Sequence, residues 1–170
     1  MNPSYVRLQV VRPAAMERFS AWLDLPEMEP PTVVHSSEAV DRAVADGAWR
    51  GVSFLVFEYD DWTVFDDMTG ILSTKTSADW LRLAADDRLV FAGYNDSVPY
   101  GQLVEVREGE IVRNFLDDQQ DPAHNINEGR LGFEESHPIN TWVEAASFVD
   151  GDDRAGSQDY ETLWIFQSVS

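Results

Sequence analysis

The sequence predicts an α+β fold: a single domain over residues 1–170, built on a mainly antiparallel sheet with three to four short helices. Several segments alternate apolar and polar residues with the period of a strand, and short stretches between them repeat with the period of a helix. The two kinds of element are mixed without the strict strand–helix alternation that builds a parallel sheet. The 170 residues suit one domain, which at this size buries about 70% of its unfolded surface. A hydrophobic content of 44%, with six Trp, nine Phe and five Tyr, supplies the core.

Val6, Leu8 and Val10 alternate with Arg7 and Gln9, so the chain opens on a half-buried strand. Pro13 then starts a short helix, a position where its missing N–H costs nothing, with Met16, Phe19 and Leu23 on one face. Pro26, Pro30 and Pro31 mark a loop, Ser37 is expected to cap a helix running to Asp46, and Gly47 is its stop signal. Val52–Tyr59 is rich in β-branched and aromatic residues and reads as a buried strand; residues 62–65 return beside it after Asp60-Asp61. Residues 66–76 read as a polar loop, and Ser77 as the cap of a helix that gathers Trp80, Leu83 and Ala84 on one face. The apolar run Leu89-Val90-Phe91-Ala92 suggests a central strand.

The clearest hairpin joins residues 102–107 to 110–116 through Glu108-Gly109, placing Val106 opposite Ile111 and Arg107 opposite Glu110. Residues 117–139 show no clear periodicity. Thr141-Trp142-Val143-Glu144 has the spacing of a capping box and predicts a helix to about Val149, ending near Gly151. Residues 160–166 read as a final strand. No internal repeat or long linker divides the chain.

The absence of cysteine removes disulfides, thiol nucleophiles and cysteine-ligated metals. The start, Met1-Asn2-Pro3-Ser4-Tyr5-Val6-Arg7, lacks a basic region followed by an apolar run, and no apolar stretch approaches the length of a membrane span, so a cytoplasmic location is expected. The formal net charge of −19 repels phosphate backbones and anionic lipids, which argues against nucleic-acid and membrane partners. Solubility explains such a charge, and so does a basic protein partner. Residues 117–161 hold twelve acids against Arg130 and Arg154, a net of −10, so the C-terminal third is the natural surface to steer that partner.

Motifs for chemistry are sparse. Neither glycine-rich phosphate loop nor the GxSxG elbow occurs, and no cofactor is expected. His35, His124 and His137 show no metal-ligand spacing, and the latter two read as exposed loop residues. Asp150, Asp152 and Glu161 fit positions of a calcium loop, but Arg154 and Ala155 occupy places that need a ligand and a glycine, with Gly156 one place late. The acidic doublets, Asp60-Asp61, Asp66-Asp67, Asp86-Asp87, Asp117-Asp118 and Asp152-Asp153, fall mostly at predicted element ends. Neighbours on a strand point to opposite faces, so a doublet seldom makes a catalytic pair.

Two loops suit recognition. Residues 93–101 are bracketed by glycines and present Tyr94 and Tyr100 around Asn95 and Asp96; both rings can equally lie on the sheet edge. Residues 66–76 carry Asp66, Asp67, Thr69 and Ser73 around Lys75, the only lysine, a pattern that suits plugging a polar active site or a plain surface connection. Asp117 and Asp118 complete the candidate partner-binding set.

Residues 89–96, Pro99-Tyr100-Gly101, Arg113-Asn114-Phe115-Leu116-Asp117-Asp118 and residues 142–150 together resemble the short acidic bacterial immunity proteins encoded beside polymorphic secreted toxins. The likeness spans roughly residues 54–150 and brings no catalytic residue with it; the Gly-rich signature of one large immunity superfamily is not evident. The resemblance implies a non-enzymatic cytoplasmic protein that binds one cognate toxin domain and occludes its active site, nucleases and NAD-consuming or ADP-ribosylating toxins being candidate targets. The rival expectations are an enzyme with an unfamiliar carboxylate-based site and an acidic nucleic-acid mimic that sequesters a DNA-binding protein.

Overall fold

In the computed structural model, which describes residues 3–151 and 159–168, the chain runs β1 (Ser4–Leu8), α1 (Arg12–Leu23), β2 (Thr32–His35), α2 (Ala39–Ala43), β3 (Val44–Ala45) and β4 (Ala48–Trp49). It continues through β5 (Val52–Tyr59), β6 (Trp62–Asp67), α3 (Ser77–Ala84), β7 (Leu89–Asn95), β8 (Tyr100–Arg107) and β9 (Glu110–Asp118). β10 (Ile126–Gly129), α4 (Trp142–Gly151) and β11 (Tyr160–Phe166) follow. Nine strands form one sheet in the order β10-β9-β8-β7-β1-β6-β5-β11-β2, with every neighbouring pair antiparallel. This is the α+β fold expected from the mixed periodicities. β1 lies at its middle, so the N-terminal strand joins the hairpin pair β5–β6 to the meander β7–β8–β9.

Both faces of the sheet are covered, because the central strands are apolar on both sides. On one face Leu8, Phe54, Phe65, Phe91 and Trp164 meet Phe19 of α1 and Trp80 of α3. Phe19 stacks on Phe65 at 4.1 Å between centroids, and Trp80 lies between Trp22 at 5.3 Å and Phe91 at 4.4 Å. Offset aromatic contacts of this kind add about 0.5–1.5 kcal/mol each beyond their burial. On the other face, Ala145 and Val149 of α4 cover Ala92 and Leu103, while Ala39 and Ala43 of α2 cover Leu163 and Ile165. α4 reaches β8 only because residue 101 is glycine: a Cβ there would lie 2.7 Å from the Trp142 Cα.

The hairpin through Glu108-Gly109 has the expected register, Val106 opposite Ile111 and Arg107 opposite Glu110. Both turn residues have positive φ, 50° and 76°, as a two-residue hairpin requires. Five local expectations change. The helix after Ser37 is only α2, preceded by a 3-10 turn over Ser36–Glu38, and the chain then forms the β3–β4 hairpin. Gly47 serves that hairpin turn with Asp46, at φ 78° and 53°, rather than a helix end. Asp66 and Asp67 extend β6 instead of starting a loop, and Thr76, not Ser77, caps α3. Thr76 Oγ1 accepts the Asp79 N–H at 3.3 Å and Asp79 accepts the Thr76 N–H at 2.8 Å, a reciprocal capping box. Finally, Gly93 and Gly101 pair inside β7 and β8 with Gln102 and Tyr94, which shrinks the connecting loop to residues 96–99. The strand β2 was not anticipated, and nor was β10 within the aperiodic stretch.

Among the described residues, no helix is long and apolar enough to cross a membrane.

Candidate functional site

The two loops singled out for recognition meet at one end of the sheet. β6, β7 and β9 end there, while β1 and β8 begin there. Between them lies a cavity of about 270 Å³ whose wall includes Ser73, Tyr94, Asn95, Val98, Tyr100 and Asp118, and no cation among the described residues. Five members of the expected binding set therefore share one wall, drawn from positions as far apart as Ser73 and Asp118.

Each side chain is fixed by a local bond. Tyr94 donates its hydroxyl to Asp150 at 2.9 Å, tying β7 to the end of α4. Asn95 accepts the N–H groups of Ser97 and Val98 at 2.9 and 3.2 Å, the Asx geometry that turns the chain between β7 and β8. Asp96 stands exposed at the tip of that turn. Tyr100 donates to Gln102, and burial together with the neighbouring Asp118 charge pushes its phenol up to about 12. Asp118 accepts the Gln120 N–H at 2.9 Å, and its own N–H donates to Asn125 at 2.7 Å. Ser73 donates to the Gly70 carbonyl at 2.9 Å.

The remaining members serve other purposes. Asp67 is buried and gathers the N–H groups of Thr69, Gly70 and Leu72 at 3.1, 2.8 and 2.9 Å, with the Ser4 hydroxyl at 3.3 Å. It organises the following loop, and burial raises its carboxyl above the ordinary range against the pull of those four donors. Thr69 accepts the Ser53 N–H at 3.4 Å, and Asp66 lies on β6 opposite Tyr5 and Leu55. Asp117 is also buried; it accepts the Trp142 N–H at 2.7 Å at the start of α4, and holds Gln119 and Asn125. A carboxylate at a helix N-terminus satisfies an orphan donor and opposes the helix dipole. Lys75 does not join the cavity: its Nζ lies 5.0 Å from the Trp22 ring centroid.

Two clusters escaped sequence reasoning. Arg113 is fully buried and uses every guanidinium donor: Glu134 bidentately at 3.0 Å twice, Asn127 and the Glu128 carbonyl at 2.9 Å, and the Ile139 carbonyl at 2.7 Å. Glu134 also accepts the N–H groups of Leu131 and Ile139 at 2.7 and 3.1 Å. Burial alone would raise the Glu134 carboxyl, but those N–H groups and the Arg113 guanidinium together hold it below its ordinary range. The second cluster places Arg7, Arg88 and Arg107 around Glu105, whose side chain is 1% exposed. Its one available signal was Glu105 itself, a charge that shares a strand face with the core residue Leu103.

No family model, curated protein or solved structure matches the chain. Among the described residues no three His, Asp or Glu side chains are grouped to hold a metal. His124 is paired with Asp121 at 2.6 Å in an exposed turn, and His137 is exposed. Of the calcium-loop frame, Asp150 is engaged by Tyr94 and Glu161 lies in β11, whereas Asp152, Arg154, Ala155 and Gly156 fall outside the described residues.

Proposed function

We propose that this chain is a non-enzymatic binding protein that neutralises a cognate bacterial toxin by covering the toxin's active site. The contact surface in this reading is the sheet-end cavity and its rim. The observation that carries it is the chemistry of that rim: Asp96, Asp121 and Asp150 are exposed, Asp118 is half-buried, and the wall includes Tyr94 and Tyr100 but, among the described residues, no cation. Exposed carboxylates steer a basic partner into place, and aromatic side chains with a hydroxyl handle supply contact area that holds it there. Asp67 and Asp117 support the same reading indirectly. Asp67 is bound by three backbone N–H groups, and Asp117 by the Trp142 N–H and two side-chain amides, so the rim is presented on a fixed frame and little ordering is required on binding.

The test is capture of a toxin domain from native cells by the tagged protein, followed by assay of that toxin's activity with and without the complex. A stoichiometric toxin domain that is silenced on binding, and that is lost when Asp96→Arg and Asp118→Arg are combined, supports the reading. A complex that DNA competes away would point to a nucleic-acid mimic instead. No toxin partner under toxin-expressing conditions, or one indifferent to the charge reversals, overturns it.

A further inference from the structure

The arginine cluster on the α4 face of the sheet is a candidate site of a different kind. In a chain of net charge −19, Arg7, Arg88 and Arg107 line one cavity of about 360 Å³ with Glu105 as the only carboxylate in its wall among the described residues. Arg88 binds one Glu105 oxygen through Nε at 3.0 Å and Nη2 at 2.8 Å, and Arg107 reaches the other oxygen through Nη2 at 2.8 Å. Arg7 lies over the Trp62 ring at 4.5 Å from the centroid, and Arg88 at 5.3 Å.

Arg113 shows what a purely structural arginine looks like in this protein: no exposure, and every donor engaged. Arg88 and Arg107 differ on both points. Their side chains are 38% and 46% exposed; of the five N–H groups each carries, Arg88 donates two to one Glu105 oxygen, while Arg107 forms an ion pair with the other oxygen, which receives no hydrogen bond among the described residues. A buried carboxylate thus holds Arg88 by two hydrogen bonds and Arg107 by charge, while among the described residues most of their donors remain for something else. Planar forks held this way suit a carboxylate or phosphate, which they bind bidentately. The other wall of the cavity is apolar: Leu131, Phe133 and Phe148 line it, with the two rings stacked at 5.3 Å. Phe133 is 41% exposed, so its ring is accessible from the cavity side.

We propose that this cavity binds a small organic anion, a carboxylate or phosphate monoester carried on an apolar or aromatic body. The anionic head meets Arg7, Arg88 and Arg107, and the body lies against Phe133 and Phe148. Glu105 is a positioning residue that orients the forks and sets the local charge.

Titration of the full chain with phenyl phosphate, benzoate and inorganic phosphate, followed by NMR of the Trp62 indole N–H and of the arginine side chains, tests the site. Phenyl phosphate is expected to bind saturably, and inorganic phosphate several-fold more weakly, because it leaves the apolar wall empty. Tighter binding of benzoate than of phenyl phosphate would make the natural head a carboxylate. Arg107→Gln, at a half-exposed position that leaves the core intact, should weaken phenyl phosphate about tenfold, as expected for loss of one charge-assisted contact. Glu105→Gln should act in the opposite sense and tighten it, a change that generic surface attraction to scattered arginines would not produce at one cavity. If Glu105→Gln perturbs the fold, Arg107→Gln and Arg88→Gln still decide. No saturable shift at Trp62, or affinity unchanged in both arginine variants, overturns the proposal.

Discussion

Among the described residues Arg113 and Glu134 are the ion pair with both side chains fully buried, and each would be intolerable in its place without the other. A buried guanidinium left without its counter-ion is an uncompensated charge, and breaking such a pair typically costs about 3–5 kcal/mol. Glu134→Gln keeps the shape and removes the charge, so a loss of that size is expected in urea unfolding at neutral pH. The pH dependence has a definite sign. Glu134 is held below its ordinary value, so its contribution is full above about pH 4.3, the unfolded value, and is lost as the pH falls through the lower folded value. The acid-limb slope of stability should therefore be shallower in Glu134→Gln than in the parent. Tyr100 behaves in the reverse sense. Burial and Asp118 raise its phenol to about 12, so its contribution is present below about pH 10 and is lost as the pH climbs through about 12. Absorbance titration near the phenolate band should show a late-ionising tyrosine that disappears in Tyr100→Phe.

At the scale of elements, α4 depends on one missing methyl group. A Cβ at residue 101 would sit 2.7 Å from the Trp142 Cα and 2.9 Å from the Ala145 Cβ, so Gly101→Ala should push the helix off β8 and cost about 1–3 kcal/mol. Gly132→Ala, where the added carbon meets nothing within 4 Å, should change the thermal midpoint little and serves as the control. Elements that announced themselves are those whose signals are local and agree. The β8–β9 hairpin combines alternation with a Glu-Gly turn, and α3 combines a cap with an apolar face. α2 was misjudged because a glycine after a helix-like stretch marks a helix end and a hairpin turn equally well, and Gly47 made the turn. β2 is a four-residue edge strand between prolines and a 3-10 turn, too short to show a period. The stretch around β10 is ordered by Arg113 and Glu134, 21 residues apart, and no periodicity records a pairing at that distance. The same limit applies to the site: loop chemistry marked Tyr94, Tyr100 and Asp118, but their meeting with Ser73 is a property of strand order.

For the whole molecule the dominant quantity is the net charge of −19, and it sets two salt dependences of opposite benefit. Self-repulsion of that size opposes the compact state. Raising ionic strength from about 0.01 M to about 0.15 M shortens the screening length from about 30 Å to about 8 Å, which relieves repulsion between distant carboxylates. Salt also weakens the favourable pairs, so the sign depends on which is larger. Pairs such as Arg12–Glu58 and Arg42–Glu38 are largely exposed and contribute about 0–1 kcal/mol each at best, while Arg113–Glu134 is shielded from solvent altogether. Relief of repulsion wins in that comparison, and the thermal midpoint should rise with sodium chloride across this range. A falling midpoint would mean that the exposed pairs form a cooperative network stronger than the net charge. Under the proposed function the same screening would slow encounter with a basic partner, since charge attraction to the sheet-end rim would be long-range. A protein that becomes more stable but associates more slowly as salt is added would be one whose excess negative charge works against its own fold in favour of finding another molecule.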